Sequence, residues 1–137
     1  MPAIEVVDST WIAAPAATVA AIIAEPGNWR RWWPGLELEV TELRAVKGVR
    51  WAVPSVAGHP GLSGSAEVWL EPLAEGVVAH FFLRLDAAAG RVASRRSAER
   101  VAHEYRLRTK TAFWALADRL DPARMQRHVS AEHPAST

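Results

Sequence analysis

The chain has 137 residues, enough for one globular domain, and 50% of them are hydrophobic, so a core of ordinary size can be buried. The absence of cysteine excludes disulfides, thiolate metal sites and a cysteine nucleophile. A formal net charge of +1 gives no general attraction to nucleic acid, and the odd count is seven tryptophans against one tyrosine and three phenylalanines.

Ile4–Ile12, with Val6, Val7, Thr10 and Trp11, favours a strand. Ala13-Ala14-Pro15 breaks it, and Ala16 to Ala24 carries Val19, Ile22 and Ile23 at helical spacing. After Glu25-Pro26-Gly27, Asn28 is placed to cap a second short helix, in which Trp29, Trp32 and Trp33 at i, i+3 and i+4 share a face until Pro34-Gly35 ends it. Leu36 to Leu43 alternates apolar and polar residues, as does the stretch from Val49 through Trp51 to Val53, with a turn at Lys47-Gly48. Residues 54–61 read as a loop. From Leu62 the even positions are apolar, with Trp69 the exception on the wet parity; residues 71–76 read as a turn, and Val77, Ala79, Phe81, Leu83 and Leu85 then alternate with polar neighbours. Short links between these strands predict an antiparallel meander. After the small-residue link 86–90, a long helix is expected from Ser94, as cap, to Leu120. Its apolar stripe is Ala98, Val101, Tyr105, Ala112, Phe113, Leu116 and Leu120, and its wet side is Arg96, Glu99, Arg100, His103 and Lys110. One domain over residues 1–122 and a flexible polar tail over 123–137 are expected. No apolar run reaches the length of about 18 residues needed for a transmembrane helix. Met1 to Asp8 lacks the basic-then-apolar pattern of a secretory signal, so a cytoplasmic location is expected.

The order of these elements, with Ile12-Ala13-Ala14-Pro15 and Val19, then Glu25-Pro26-Gly27-Asn28-Trp29 and Trp32-Trp33-Pro34, resembles the START-like (SRPBCC, birch-pollen-allergen-like) superfamily. The tryptophan-rich second helix, Phe81-Phe82-Leu83-Arg84-Leu85-Asp86 and the ending Phe113-Trp114-Ala115-Leu116 resemble its bacterial polyketide cyclase/dehydrase-like branch. The resemblance covers about residues 4–120. It implies an α+β helix-grip fold: a curved antiparallel sheet around a long C-terminal helix, with two short helices after the first strand. It also implies binding or carrying of a small hydrophobic molecule, such as a lipid or polyketide-like compound, between sheet and helix. The family's usual sheet has six strands between the second and last helices, whereas four can be placed here, which implies a smaller or more open cavity.

By parity the concave face holds Leu38, Val40, Trp51, Val53, Ala66, Val68, Phe81 and Leu83, faced by Tyr105, Ala112, Phe113 and Leu116 from the helix, with Trp32 or Trp33 as rim. Gly64 and Ala66 leave room, either for neighbouring rings or for a ligand. An apolar inner face describes a packed core as well as a pocket, and both readings stand. If Ile12 points inward, so do Thr10 and Asp8. Asp8 is then a candidate general base on an acidic C–H, with Thr10 or Tyr105 holding a substrate oxygen, provided it does not lie in water at the strand end. A cyclase/dehydratase-type enzyme is therefore the alternative reading, and a pocketless interaction module the third.

His59, His80, His103, His128 and His133 lack metal-binding spacing, the serines lack a nucleophile-elbow context, and no cofactor motif is present. Seven Lys/Arg and two Glu between Arg91 and Lys110 read as a solvated helix face. Leu107 and Trp114, seven residues apart, lie opposite the buried stripe, and with Trp69 they are candidates for a homodimer contact.

Overall fold

The computed structural model describes residues 3–88 and 94–123. It contains β1 (Ile4–Ile12), α1 (Ala16–Ile23), α2 (Pro26–Trp32), β2 (Glu39–Leu43), β3 (Gly48–Val53), β4 (Leu62–Leu73), β5 (Gly76–Ala87) and α3 (Arg95–Leu120), with a 3-10 turn, Ala45–Lys47, before β3. The strands form one antiparallel sheet in the order β1-β5-β4-β3-β2. The sheet is curved and α3 lies along it, the helix-grip α+β arrangement that the element order predicts. Residues 124–137 of the expected tail, with His128 and His133, and residues 89–93 of the link before α3 lie outside the described residues.

Alternation builds the sheet. Along β1 burial switches at every residue, so Ile4, Val6, Asp8, Thr10 and Ile12 face inward. β5 continues that layer with Val77, Ala79, Phe81, Leu83 and Leu85, all buried. The β4–β5 hairpin is longer than the sequence suggests. Its pairing runs from Leu62↔Ala87 to Leu73↔Gly76, so the residues read as a turn at 71–73 are strand. Gly48 opens β3 at φ 124°, and a Cβ there would strike the Val68 carbonyl across the ladder. No other residue fits that close approach without strain.

Three local readings need correction. Asn28 does not cap α2: the Glu25 carboxylate accepts from the Gly27 N–H, while Asn28 Nδ2 donates to the Ile22 carbonyl. The strand expected over 36–43 shrinks to β2 at Glu39–Leu43, and Leu36 makes only an isolated bridge to Val56. Val40 is exposed and not part of the inner face. β2 is an edge strand with a bulge between Val40 and Glu42, so its outer ladder and both faces meet water.

α3 is capped as predicted, Ser94 Oγ accepting from the Ser97 N–H at 3.0 Å. Its buried residues are Val101, Tyr105, Thr109, Ala112, Phe113 and Leu116. Thr109 was not among the expected stripe. Lys110, expected on the wet face, is half-buried against β1.

Candidate functional site

The residues predicted to line a cavity come together, but as one packed aromatic core. Trp33 stacks on Phe81 (4.9 Å between ring centroids, 17° between planes) and meets Trp51 and Phe113 edge-on at 5.8 and 6.3 Å. Trp29 closes on Trp51 at 5.1 Å. Trp51 sits opposite Ala66 in the β3–β4 register, so the large ring fills the space left by the small residue. Val53, Val68, Leu83 and Tyr105 are buried in the same cluster. Trp33 is an interior residue, not a rim residue, and its indole Nε1 donates to Thr109 Oγ1 at 2.9 Å. The inner face thus closes on its own rings, the packed core that was one of the two readings parity left open.

Vacant volume lies one layer outward. Between α2 and α3 runs an open groove of about 410 Å³, with Trp32, Leu107 and Ala112 as apolar walls and Arg31, Arg108 and Glu104 at its margin. A second cleft of about 250 Å³ shares Arg31, Trp32, Thr111 and Ala112 with it and adds Ala115, Leu116 and Arg119. Of the expected ligand residues, Trp32, Ala112 and Leu116 reach this space. Leu107, expected at a dimer contact, lines it and is 58% exposed. Arg31 was not singled out from the sequence, because its role depends on how α2 docks on α3.

Asp8 is buried in mid-strand rather than lying in water at its end. Lys110 Nζ stands 2.8 Å from Asp8 Oδ1, and the Thr10 hydroxyl donates to Asp8 Oδ2 at 3.2 Å. The same ammonium donates to the Thr10 hydroxyl and to the Ser9 carbonyl, both at 3.2 Å, and lies 5.4 Å from the Trp114 ring centre. Each carboxylate oxygen thus carries one polar partner, Lys110 on Oδ1 and Thr10 on Oδ2. The cluster ties α3 to the edge strand. Long side chains reach such partners while carrying their stems over apolar surface, which is why helical spacing alone assigned Lys110 to water.

Tyr105 is neighboured by Gly35, whose lack of a Cβ makes room for the hydroxyl. Burial pushes the Tyr105 hydroxyl above the ordinary tyrosine pKa, Glu104 adds to the rise and Arg108 opposes it. The folded state therefore keeps this proton where the unfolded chain releases it. The stabilisation is intact below about pH 10 and is lost as pH climbs through the raised folded value. Tyr105→Phe is expected to flatten the fall in Tm above about pH 10, read by circular dichroism. An unchanged alkaline profile would refute this assignment.

On the outer sheet face, His80 Nδ1 lies 2.8 Å from Ser9 Oγ and its Nε2 lies 3.0 Å from Glu71 Oε1. Trp69 stacks on His80 at 4.9 Å. The sequence placed His80 correctly on the polar parity but missed Glu71, nine residues away across the hairpin. Trp69 lies on the outer sheet face against His80, whereas Leu107 and Trp114 are exposed on α3. Among the described residues no group of three or more His, Asp or Glu is arranged to hold a metal ion, and no helix is long and apolar enough to cross a membrane.

No protein-family model and no curated protein matches the chain. Solved structures do. Protein MLL2253 from Mesorhizobium loti is 15% identical over 85% of this chain and 98% of that one, with a TM-score of 0.59. The Aha1 dimer from Colwellia psychrerythraea is 13% identical over 83% and 96%, with a TM-score of 0.54. The di-domain ARO/CYC StfQ from the steffimycin biosynthetic pathway is 12% identical over 90% of this chain and 52% of its own, with a TM-score of 0.53. At 12 to 15% identity it is the fold that is shared. That fold is the helix-grip arrangement of a curved antiparallel sheet and a long C-terminal helix.

Proposed function

We propose that this protein binds a small hydrophobic molecule with an acidic head, the apolar body against Trp32, Leu107 and Ala112 and the head toward Arg31 and Arg108. The observation that carries this reading is the groove between α2 and α3, where apolar walls meet a rim of two arginines and Glu104, the last ion-paired with Arg108 at 3.3 Å. Binding would follow from burying apolar ligand surface, worth about 25 cal/mol per Å² before ordering costs. The arginines would supply orientation more than affinity. The neighbouring polyketide-related fold supports a compound of that general kind. Binding or carriage is preferred over turnover because Asp8, the candidate base with Thr10, is already paired with Lys110.

Fluorene-2-carboxylate is a suitable probe, read by tryptophan fluorescence. Saturable binding is expected. Leu107→Asp should weaken it at least tenfold, and Arg108→Glu should weaken the acid but not its neutral amide. Both residues are exposed, so the fold should survive. No saturable binding, or affinity untouched by Leu107→Asp, would refute the groove as a ligand site.

A second reading, a homodimer over the outer side of α3, is favoured by the exposure of Leu107 (58%) and Trp114 (63%). Light scattering showing a monomer at high concentration removes it.

A further inference from the structure

The outer face of the sheet carries a chain of polar contacts built from residues that the groove does not use. The β1–β5 register sets Ser9 opposite His80, and the β4–β5 register sets His80 opposite Trp69. His80 Nε2 lies 3.0 Å from Glu71 Oε1, and its Nδ1 lies 2.8 Å from Ser9 Oγ. A carboxylate oxygen accepts and cannot donate, so Nε2 carries the ring proton. In the neutral ring Nδ1 is then the acceptor, and the Ser9 hydroxyl donates to it. Both distances fall within the reach of about 2.6–3.2 Å over which a base takes a hydroxyl proton. Carboxylate, imidazole and hydroxyl thus follow in the order that activates a serine, with the two ring nitrogens exchanged relative to the usual triad. The ring is held in this line by its neighbours: Trp69 stacks on it at 4.9 Å and 20°, and Phe82 lies nearly parallel at 6.4 Å and 22°. Ser9 is held through its backbone, its carbonyl accepting from Lys110 Nζ at 3.2 Å, while its side chain lies on the exposed parity of β1. Two residues away on either side, on that same face, Val7 and Trp11 are exposed. An apolar group laid along the strand therefore finds the hydroxyl between two apolar side chains.

We propose that Ser9 is a nucleophile toward aryl esters, with His80 as its general base and Glu71 as the positioning residue that sets the tautomer of His80. Ser9 Oγ attacks the ester carbonyl carbon while His80 Nδ1 takes the hydroxyl proton. The Oγ–C bond forms, the bond from that carbon to the aryl oxygen breaks, and His80 returns the proton to the departing aryloxide. Water, deprotonated by the same nitrogen, then releases the carboxylic acid and restores Ser9. On this open face water solvates the developing oxyanion. The acceleration is therefore that of a positioned base alone, about 10²–10⁴-fold.

The test treats the full chain with 4-nitrophenyl acetate, follows release of 4-nitrophenolate, and places the acetyl group by peptide mass after an acid quench. Acetyl is expected on Ser9 well before Ser63, an exposed hydroxyl of the same sheet that serves as internal control. His80→Phe keeps a ring against Trp69 and removes the base, and it should slow Ser9 acetylation at least about a hundredfold. Glu71→Ala should slow it at least about tenfold. In the same variant the imidazole nitrogen spectrum should pass from the Nε2–H tautomer to a mixture of both, a change that a merely structural role for Glu71 does not produce. Ser9 acetylated no faster than Ser63, or as fast in His80→Phe as in the parent protein, overturns the proposal. So does nitrophenolate release that survives intact in Ser9→Ala, because the imidazole is then the nucleophile. The comparison of Ser9 with Ser63 needs no substitution and decides the matter even should a variant fold poorly.

Discussion

Trp33→Ala is expected to lower the free energy of unfolding by about 3–5 kcal/mol, the range for truncating a buried large aromatic residue. The indole is stacked on Phe81 and edge-on to Trp51, Phe113 and Trp32, so removing it deletes packing on several sides at once. It also strips the hydrogen bond from Thr109 Oγ1, on a residue with no exposed surface. The surrounding rings come from the sheet, from α2 and from α3, and three separately anchored elements cannot collapse together to fill the void. Trp114→Ala, removing an indole that is 63% exposed, is expected to change stability by no more than about 1 kcal/mol, the Lys110 contact included. Urea denaturation of the two variants beside the parent protein provides the comparison. Similar small losses in both would mean that Trp33 does not fill the interior.

Trp33 also shows where the sequence stops being informative. Its spacing from Trp29 and Trp32 places all three on one helical face, yet α2 ends at Trp32 and the next residue leaves the helix. Two adjacent indoles thereby part, one to the groove and one to the core. Parity was reliable wherever a strand has neighbours on both sides: β3, β4 and β5 face inward as their alternation says, and so does β1, whose open flank is covered by α3. It failed at β2, where an edge position and a bulge remove the distinction between faces. The stripe on α3 was legible because one continuous surface covers it. What parity cannot report is whether inward side chains meet one another or enclose space. That depends on the distance between sheet and helix, set here by the rings themselves. Polar contacts across the fold were equally hidden. Asp8 and Lys110 are about a hundred residues apart in sequence, and His80 meets Ser9 only through the β1–β5 register.

That distant pair yields the second large effect. Lys110→Met is expected to cost about 3 kcal/mol, near the low end for breaking a buried ion pair. The Asp8 side chain is 5% exposed and keeps only the Thr10 hydroxyl, whereas Lys110 is 29% exposed, so water already shares in the pair. Asp8→Asn should cost less, because the freed ammonium can turn toward solvent. The combined Asp8→Leu, Lys110→Met variant should recover most of the loss, since an apolar pair of similar volume removes both desolvation penalties. A double-mutant cycle of Asp8→Leu, Lys110→Met and the combined variant by urea denaturation measures this coupling, and simple additivity of those two single changes would refute it. The pair's value then lies in alignment more than in stability. Lys110 bonds Asp8, Ser9 and Thr10 at consecutive positions of β1 and therefore fixes one register of a 26-residue helix along an edge strand. Amide exchange should accordingly be faster along β1 in the recovered double variant than in the parent, even at matched stability. A ladder equally protected in both would show that packing by itself holds the helix in place.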